Sequence, residues 1–431
     1  MKVAKYLEST LKKRYLQPGE TPDDMLKRVA KYVARVESNY EPDPGLLSKD
    51  KADTSTTWKD RIAEEWFETM EQGYWLPSSP FLMNAGTKVN MLSACFVCGL
   101  EDSMEGIFST LGKAAIIQKT GGGTGFNFSK LRAEGATINS TGGTSSGPLS
   151  FMEIFNTMGN TVKQGGRRRS ANMGILRIDH PDILKFIRYK SDMTKLTNFN
   201  VSVAVTDKFM TAVKNKEKFE LIEPSTGKVV GEIDAYETFK EIAYRNWLSA
   251  EPGLLFIDTV NKANPTPHLG NIEATNPCGE IPLLPWEACN LASINVERFV
   301  KNGTIDWEGL DRIVRLVVRF LDDAIDVNEL PLPEIEAAVR KTRKLGLGIM
   351  GLHGALIRAG IPYDTAEGRE FASSIMAFVN AKGHEYSSRL GKERGNFPAW
   401  EGSCFGMSNM PMRNATITTI APTGRLCPSY Q

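Results

Sequence analysis

The 431-residue chain contains no run approaching the ~18 consecutive apolar residues that a membrane-crossing helix needs. It also has almost no net charge. Lys and Arg number 52 and Asp and Glu 51, leaving +1, so no global field argues for nucleic acid or an anionic membrane as partner. A nucleotide or phosphate site survives that argument, because it needs only local donors. Cysteine is scarce: Cys95, Cys98, Cys278, Cys289, Cys404 and Cys427. Six in a chain of this length are too few for a disulfide scaffold, and their scatter suggests buried thiols, metal ligands or redox chemistry. Met1 to Leu11 carries lysines and a glutamate but no apolar core of signal length. No internal repeat stands out. These absences point to a soluble, cytoplasmic protein.

What is present is ordinary globular material, 41% hydrophobic and 24% charged, long enough for one large core or two domains. Residues 1–75 read as helical. Trp58, Ile62, Trp66 and Met70 recur every four positions behind Thr57, a suitable N-cap, and Leu26, Val29, Val33 and Val36 form an earlier apolar stripe. Glu41 to Thr57 is polar and turn-rich. From Leu76 onward short apolar runs alternate with Gly/Ser/Thr loops and longer helices. Leu131 to Pro148 reads as loop, Phe151 to Lys163 as helix, Gln164 to Ser170 as a flexible basic loop, and residues 307–327 as a strong amphipathic helix. Strands are expected at Asn198 to Val205, Leu345 to Leu352 and Ala415 to Ile420. The alternation predicts an α/β class, with a helical domain over 1–75 and an α/β domain over 76–431.

The most informative segment is Thr275-Asn276-Pro277-Cys278-Gly279-Glu280. Pro277 restricts Asn276 to extended geometry, and Gly279 lets the backbone turn between a thiol and a carboxylate two positions apart. Glu280 suits acid–base work, Cys278 nucleophilic or radical work, and Asn276 hydrogen bonding. On spacing alone, a loop with one buried Cys and a solvated Glu is an equal reading. Gly121-Gly122-Gly123 and Ala421-Pro422-Thr423-Gly424 are turns able to expose N–H groups to an anion, though each is also simply a tight turn. Cys95-Phe96-Val97-Cys98 has Cys-x-x-Cys spacing, but no second such pair completes a zinc site.

Taken in order, Ser78 to Gly86, Ser93-Ala94-Cys95-Phe96-Val97, Glu101-Asp102-Ser103, Gly121 to Ser129, Ser146-Gly147-Pro148, Val162 to Arg169, His180-Pro181-Asp182, Asn276 to Ile281, Ala288-Cys289-Asn290-Leu291-Ala292-Ser293-Ile294-Asn295 and Thr419 to Gly424 span essentially the whole chain. This series resembles the ribonucleotide reductase catalytic subunit, most closely the adenosylcobalamin-dependent class II type. The resemblance implies a ten-stranded α/β barrel with the radical cysteine on a central loop. It implies that Cys278 forms a transient thiyl radical, Glu280 takes the 3′-hydroxyl proton and Asn276 binds the sugar hydroxyls. Cys95 and Cys289 would supply two electrons and end as a disulfide, thiol–disulfide conversion being a two-electron couple, with Cys98 and Cys404 as bystanders. Ser79, Ala94, Gly123, Pro422 and Thr423 would line the substrate pocket. Asp102, Ser103, Arg132 and Ile138 would bind a dNTP or ATP specificity effector, reported to the active site by Lys163 to Asn172. The basic triplet Arg167-Arg168-Arg169 taken alone is a solvated loop. Implied partners are the ribonucleotide, the effector, a thioredoxin-like or other dithiol reductant and a second copy of the chain.

Against that pattern, the chain begins almost at once with core helices, which predicts specificity control without an N-terminal on/off nucleotide cone. After Ala-Pro-Thr-Gly it continues only as Arg425 to Gln431. The expectation is an incomplete barrel, lacking final strands and a cysteine tail, that is incompetent alone. Two other readings stay open: a class I catalytic subunit served by a separate radical-generating metal subunit, and an inactive nucleotide-binding half needing a second chain.

Overall fold

The structure, a computed structural model, describes residues 5–48, 56–138, 142–162 and 170–424. Most of the expected basic loop, residues 163–169, lies outside them, as do Cys427 and the rest of residues 425–431. The chain forms two compact units, one of residues Met1–Ala94 with Ala288–Gln431 and one of Cys95–Glu287.

The first unit opens with helices α1 (Lys5–Arg14), α2 (Pro22–Val33) and α3 (Trp58–Glu71). Thr21 and Thr57 cap α2 and α3 by accepting from Asp24 N and Asp60 N, which satisfies otherwise orphaned donors of the first turn. The predicted stripe Trp58, Ile62, Trp66 and Met70 is buried on α3. Strand β1 (Trp75–Pro77) and the short helix α4 (Ser79–Asn84) follow.

In the second unit a parallel sheet is formed by β2 (Cys95–Cys98), β3 (Gly123–Asn127), β4 (Asn172–Arg177), β5 (Phe199–Val205) and β6 (Gly253–Phe256), paired in that order. Parallel neighbours need crossover connections, and helices α5 (Met104–Lys119) and α6 (Gly147–Thr161) supply two of them. Helix α6 starts four residues before the expected Phe151, because Pro148 in its first turn presets helical φ and gives up only an orphan N–H. The preceding stretch is loop, as read, apart from a small hairpin of Thr137–Ile138 with Gly143–Thr144. Phe126, Phe128, Phe155 and Phe199 pack with ring centroids 4.8–6.4 Å apart, closing α6 onto the sheet. A final hairpin, β7 (Ala274–Thr275) and β8 (Pro282–Leu283), is antiparallel.

The chain then returns to the first unit as β9 (Ala288–Asn295), which pairs antiparallel with β1 and parallel with β10 (Leu345–Met350). Between them runs α7 (Trp307–Val327), with the predicted bounds and with Asp306 as N-cap. Its Phe320 gathers Trp66, Trp75 and Phe81 at centroid distances of 5.2, 4.8 and 5.4 Å. After β10 comes α8 (Ala366–Arg394). The strand expected at Ala415 to Ile420 is present only as a single bridge, Leu347 with Thr418. Its backbone still bonds along β10, from Leu345 N to Thr416 O, Leu347 N to Ile417 O and Thr419 N to Leu347 O. Gly346 and Gly348 allow that approach, since a Cβ on either would lie about 3 Å from Thr419 atoms. Among the described residues no helix is long and apolar enough to cross a membrane.

Candidate active site

Side chains alternate across a strand, so residues an odd number apart point to opposite faces. Cys95 and Cys98 of β2 therefore face away from each other. Cys95 shares its side with Val97 and, by the register Cys95 to Gly123 and Val97 to Gly125, with the two glycines of β3. Phe96 shares the other side with Cys98. Its ring lies where a Cβ on Gly122 would meet it, beside Ile117 of α5. The Cys-x-x-Cys spacing thus makes no local dithiol here: thiols three strand residues apart have Cα atoms ~10 Å apart, beyond disulfide reach.

Over the glycine side lies the β7–β8 hairpin. Its tip, Asn276 to Ile281, is closed by Gly279 N donating to Asn276 O at 3.0 Å and Asn276 N to Ile281 O at 3.4 Å. Gly279 has φ +81°, a conformation costly for any residue with a Cβ. The hairpin is seated closely. A Cβ on Gly125 would stand 1.7 Å from Thr275 O, and one on Gly123 2.8 Å from Pro277 Cγ. The side-chain amide of Asn200 on β5 donates to Pro277 O at 2.7 Å.

Asn276 is 1% exposed, and its amide orientation follows from its neighbours. Ile281 N needs an acceptor and finds Oδ1 at 3.1 Å, which turns Nδ2 toward Glu280 Oε2 at 2.5 Å and Cys95 Sγ at 3.2 Å. The Cys95 thiol in turn lies 3.8 Å from Glu280 Oε1. Cys95, Asn276 and Glu280 therefore form one hydrogen-bonded group, with the exposed thiol of Cys278 two residues before the carboxylate. This arrangement can accept a proton at Glu280, orient a hydroxyl-bearing ligand through Asn276, and present one exposed and one buried thiol. The described cysteines are all thiols, not disulfides.

Cys289 belongs to the other unit. It is buried on β9, with Sγ 3.6 Å from Lys344 O and 3.3 Å from a Cβ position on Gly346. That unit also holds Ser79, whose Oγ is 3.1 Å from Tyr15 Oη, together with buried Ala94, exposed Pro422 and half-buried Thr423. Gly123 alone of the expected substrate residues is in the unit of the hairpin.

The four expected effector residues cluster at the start of α5. Ser103 is its N-cap, accepting from Gly106 N at 3.0 Å. Arg132 donates from Nε to Asp102 Oδ2 at 2.8 Å and from its backbone N to Oδ1 at 3.3 Å, while its Nη1 reaches Thr137 O at 3.4 Å, next to Ile138. The guanidinium is thus held by Asp102. A helix N-terminus with a half-exposed arginine beside it suits a phosphate-bearing ligand.

Two features carried no signal in the sequence. One is Asn200. The other is a buried polar group behind the sheet, in which Gln118 of α5 donates to Thr124 Oγ1 at 2.9 Å and to Asn172 Oδ1 at 2.8 Å, and Thr124 donates to Asn172 at 2.7 Å. A glycine-rich run such as Gly121 to Asn127 gives no hint of a partner of Thr124 48 positions away. Among the described residues no group of three or more His, Cys, Asp or Glu is placed to hold a metal ion.

Residues 93–411 match the family described as "Ribonucleotide reductase, barrel domain", and residues 5–90 the one described as "Ribonucleotide reductase, all-alpha domain". A protein of Mycobacterium tuberculosis (strain CDC 1551 / Oshkosh) named vitamin B12-dependent ribonucleoside-diphosphate reductase is 44% identical over 97% of this chain and 59% of its own length. One of the same name from Thermoplasma acidophilum is 45% identical over 96% of this chain and 56% of its own. A ribonucleoside-diphosphate reductase large subunit of Monkeypox virus is 30% identical over 80% and 49%. The chain thus spans less than two thirds of the length of each.

Proposed function

The chain belongs to the ribonucleotide reductase large-subunit family, and we propose that it carries the catalytic centre of a vitamin B12-dependent enzyme that reduces ribonucleoside diphosphates to 2′-deoxyribonucleoside diphosphates. The observation that carries this reading is the Cys95–Asn276–Glu280 group beside the exposed Cys278. The diphosphate and the cobalamin come from the names of the two relatives at 44–45% identity. The site fits such a cofactor in one respect, that Cys278 is exposed at a hairpin tip where a group arriving from outside can reach it. When bound, adenosylcobalamin supplies radical chemistry that converts a thiol to a thiyl.

The remaining steps fall to the chain itself. Cys278 as a thiyl takes the 3′-hydrogen atom of the ribose. Glu280 accepts the 3′-hydroxyl proton, and Asn276 Nδ2 offers a donor to a sugar oxygen in the place where it now meets Glu280 and Cys95. The 2′-hydroxyl leaves as water with a proton from the Cys95–Cys289 pair. The pair gives two electrons and becomes a disulfide, and Cys278 returns the hydrogen to C3′. Ribonucleotide and dithiol become deoxyribonucleotide, disulfide and water, and an external dithiol restores the pair. The partnership of Cys289 with Cys95 rests on the sequence resemblance. The Asp102–Ser103–Arg132–Ile138 cluster is assigned to a deoxynucleoside triphosphate effector, and Ser79, Ala94, Gly123, Pro422 and Thr423 to the substrate.

The test is CDP reduction with adenosylcobalamin and a dithiol, by the chain alone and by the chain supplied with the portion of a full-length relative that it does not match. The expected result is dCDP in at least one arm, abolished by Cys278→Ser, which keeps the volume and removes the thiol. Undiminished product from the Cys278→Ser variant, or no product in either arm from folded protein, overturns the reading.

A further inference from the structure

Val97, Gly125, Met173 and Asn200 stand in register across β2, β3, β4 and β5, and residues in register across neighbouring strands point to the same side of a sheet. The hairpin lies over that side at Gly125, so Asn200 is the residue of β5 that meets it. Its Nδ2 donates to Pro277 O at 2.7 Å. That carbonyl belongs to the peptide unit whose nitrogen is Cys278 N.

Few degrees of freedom decide where Cys278 stands. The pyrrolidine ring sets φ of Pro277 near −65°, and its ring is stopped against Gly123, where a Cβ would be 2.8 Å from Cγ. The peptide unit is planar. What remains is ψ of Pro277, the direction of its carbonyl, and the Asn200 amide holds that direction from the sheet. On the far side Gly279, at φ +81°, makes the turn that leads to Glu280.

We propose that Asn200 is a positioning residue for the Cys278 thiol: by clamping the Pro277 carbonyl it fixes the peptide plane from which Cys278 departs. As a positioning residue it acts through the loop. The neighbouring strand β4 places Met173, in register with Asn200, directly after Asn172, the last residue of the stretch assigned to report the effector.

The proposal rests on the reading of Cys278 as the reacting thiol, and its test is chosen to be independent of turnover. The rate of iodoacetamide alkylation at Cys278 is measured by peptide mass spectrometry on the folded full chain, with exposed Cys404 in the same sample as reference. Asn200→Leu keeps the branched shape without a donor, Asn200→Ala removes it outright, and Asn200→Gln keeps the amide on a longer stem. Leu and Ala should speed Cys278 alkylation by about three- to tenfold, the range open to one neutral hydrogen bond, with Cys404 and the melting temperature unchanged. Gln should bring the rate back to within about twofold of the parent on the same scale. Rates for Leu and Ala within twofold of the parent, an equal rise at Cys404, or a Gln variant that behaves like Leu would each overturn it. In a preparation that reduces CDP, Leu and Ala should lower kcat and leave KM unchanged. Should alkylation shift as expected while the parent reduces nothing, the radical role of Cys278 fails and the clamp stands.

Discussion

Glu37 and Asp323 are both fully buried in the first unit, and only Glu37 is well supplied with donors. It accepts from Arg319 through Nε and Nη2 at 2.6 Å each, from Trp58 Nε1 at 2.6 Å and from Arg394 Nη2 at 3.0 Å. Asp323 takes one bond, from Arg394 Nη1 at 2.6 Å, and its Oδ2 has no donor among the described residues. Burial raises both carboxyl groups. For Glu37 the hydrogen bonds and charge of Arg319, together with the charge of Arg394, outweigh burial and hold it at about 2, whereas Asp323 stays well above the usual carboxylate range despite Arg394. Burial and the neighbouring Glu37 thus both favour the protonated form of Asp323. A raised folded-state pKa contributes stability below the unfolded value and loses it as pH rises through the folded value. Asp323→Asn should accordingly gain stability on the parent as pH goes from 4 to 7. Glu37→Gln leaves Arg319 buried and poorly compensated and should cost about 3–5 kcal/mol. Urea melts at both pH values check this: a loss of several kcal/mol in Asp323→Asn at pH 7 would mean that Asp323 is ionised.

At the scale of elements, β3 is shaped by what lies over it. Gly123 and Gly125 face the hairpin, while Thr124 and Phe126 face α5 and α6. The glycines are there because a Cβ at 125 would overlap a backbone carbonyl, which no side-chain rotamer can relieve. Gly125→Ala should therefore destabilise by more than the ~1–3 kcal/mol common for overpacking and displace the Cys278 loop. Gly112→Ala on α5, where a Cβ meets nothing within 4 Å, should stabilise by about 0.5–1 kcal/mol through helix propensity. Thermal melts of the two variants decide it, and a Gly125→Ala protein as stable as its parent would show that the hairpin does not rest on β3. The same alternation accounts for Cys98, which lies on the α5 side of β2. The Cys-x-x-Cys spacing was visible in the sequence, but only the assignment of those four residues to a strand separates the two thiols.

At the scale of the whole molecule, the proposed effector assignment turns on Arg132. Arg132 is engaged by Asp102. Arg132→Ala removes one charge-assisted contact, ~1.5–3 kcal/mol, so dNTP affinity should fall roughly 10- to 100-fold with basal turnover changed far less. Equilibrium dialysis with a labelled dNTP beside CDP reduction measures both, and unchanged affinity would move the effector elsewhere. Local signals carried much of the architecture. The apolar period of 307–327, the Thr57-capped helix, and the proline and glycine on either side of Cys278 were legible because helix faces, caps and turns are decided within a few residues. The strand at Ala415 to Ile420 was overread, since a strand's regularity depends on neighbours that its own sequence does not contain. Which chemistry-bearing side chains meet was decided in three dimensions. Asn276 reaches Cys95 across 181 positions, Asn200 reaches Pro277 across 77, and Glu37 reaches Arg319 across 282. Strand register and burial choose such partners, and neither leaves a periodic trace in a single sequence. The sequence by itself therefore determined the elements and the chemical character of the site, while the tertiary structure decided that the loop is seated on glycines and held by an asparagine from another strand.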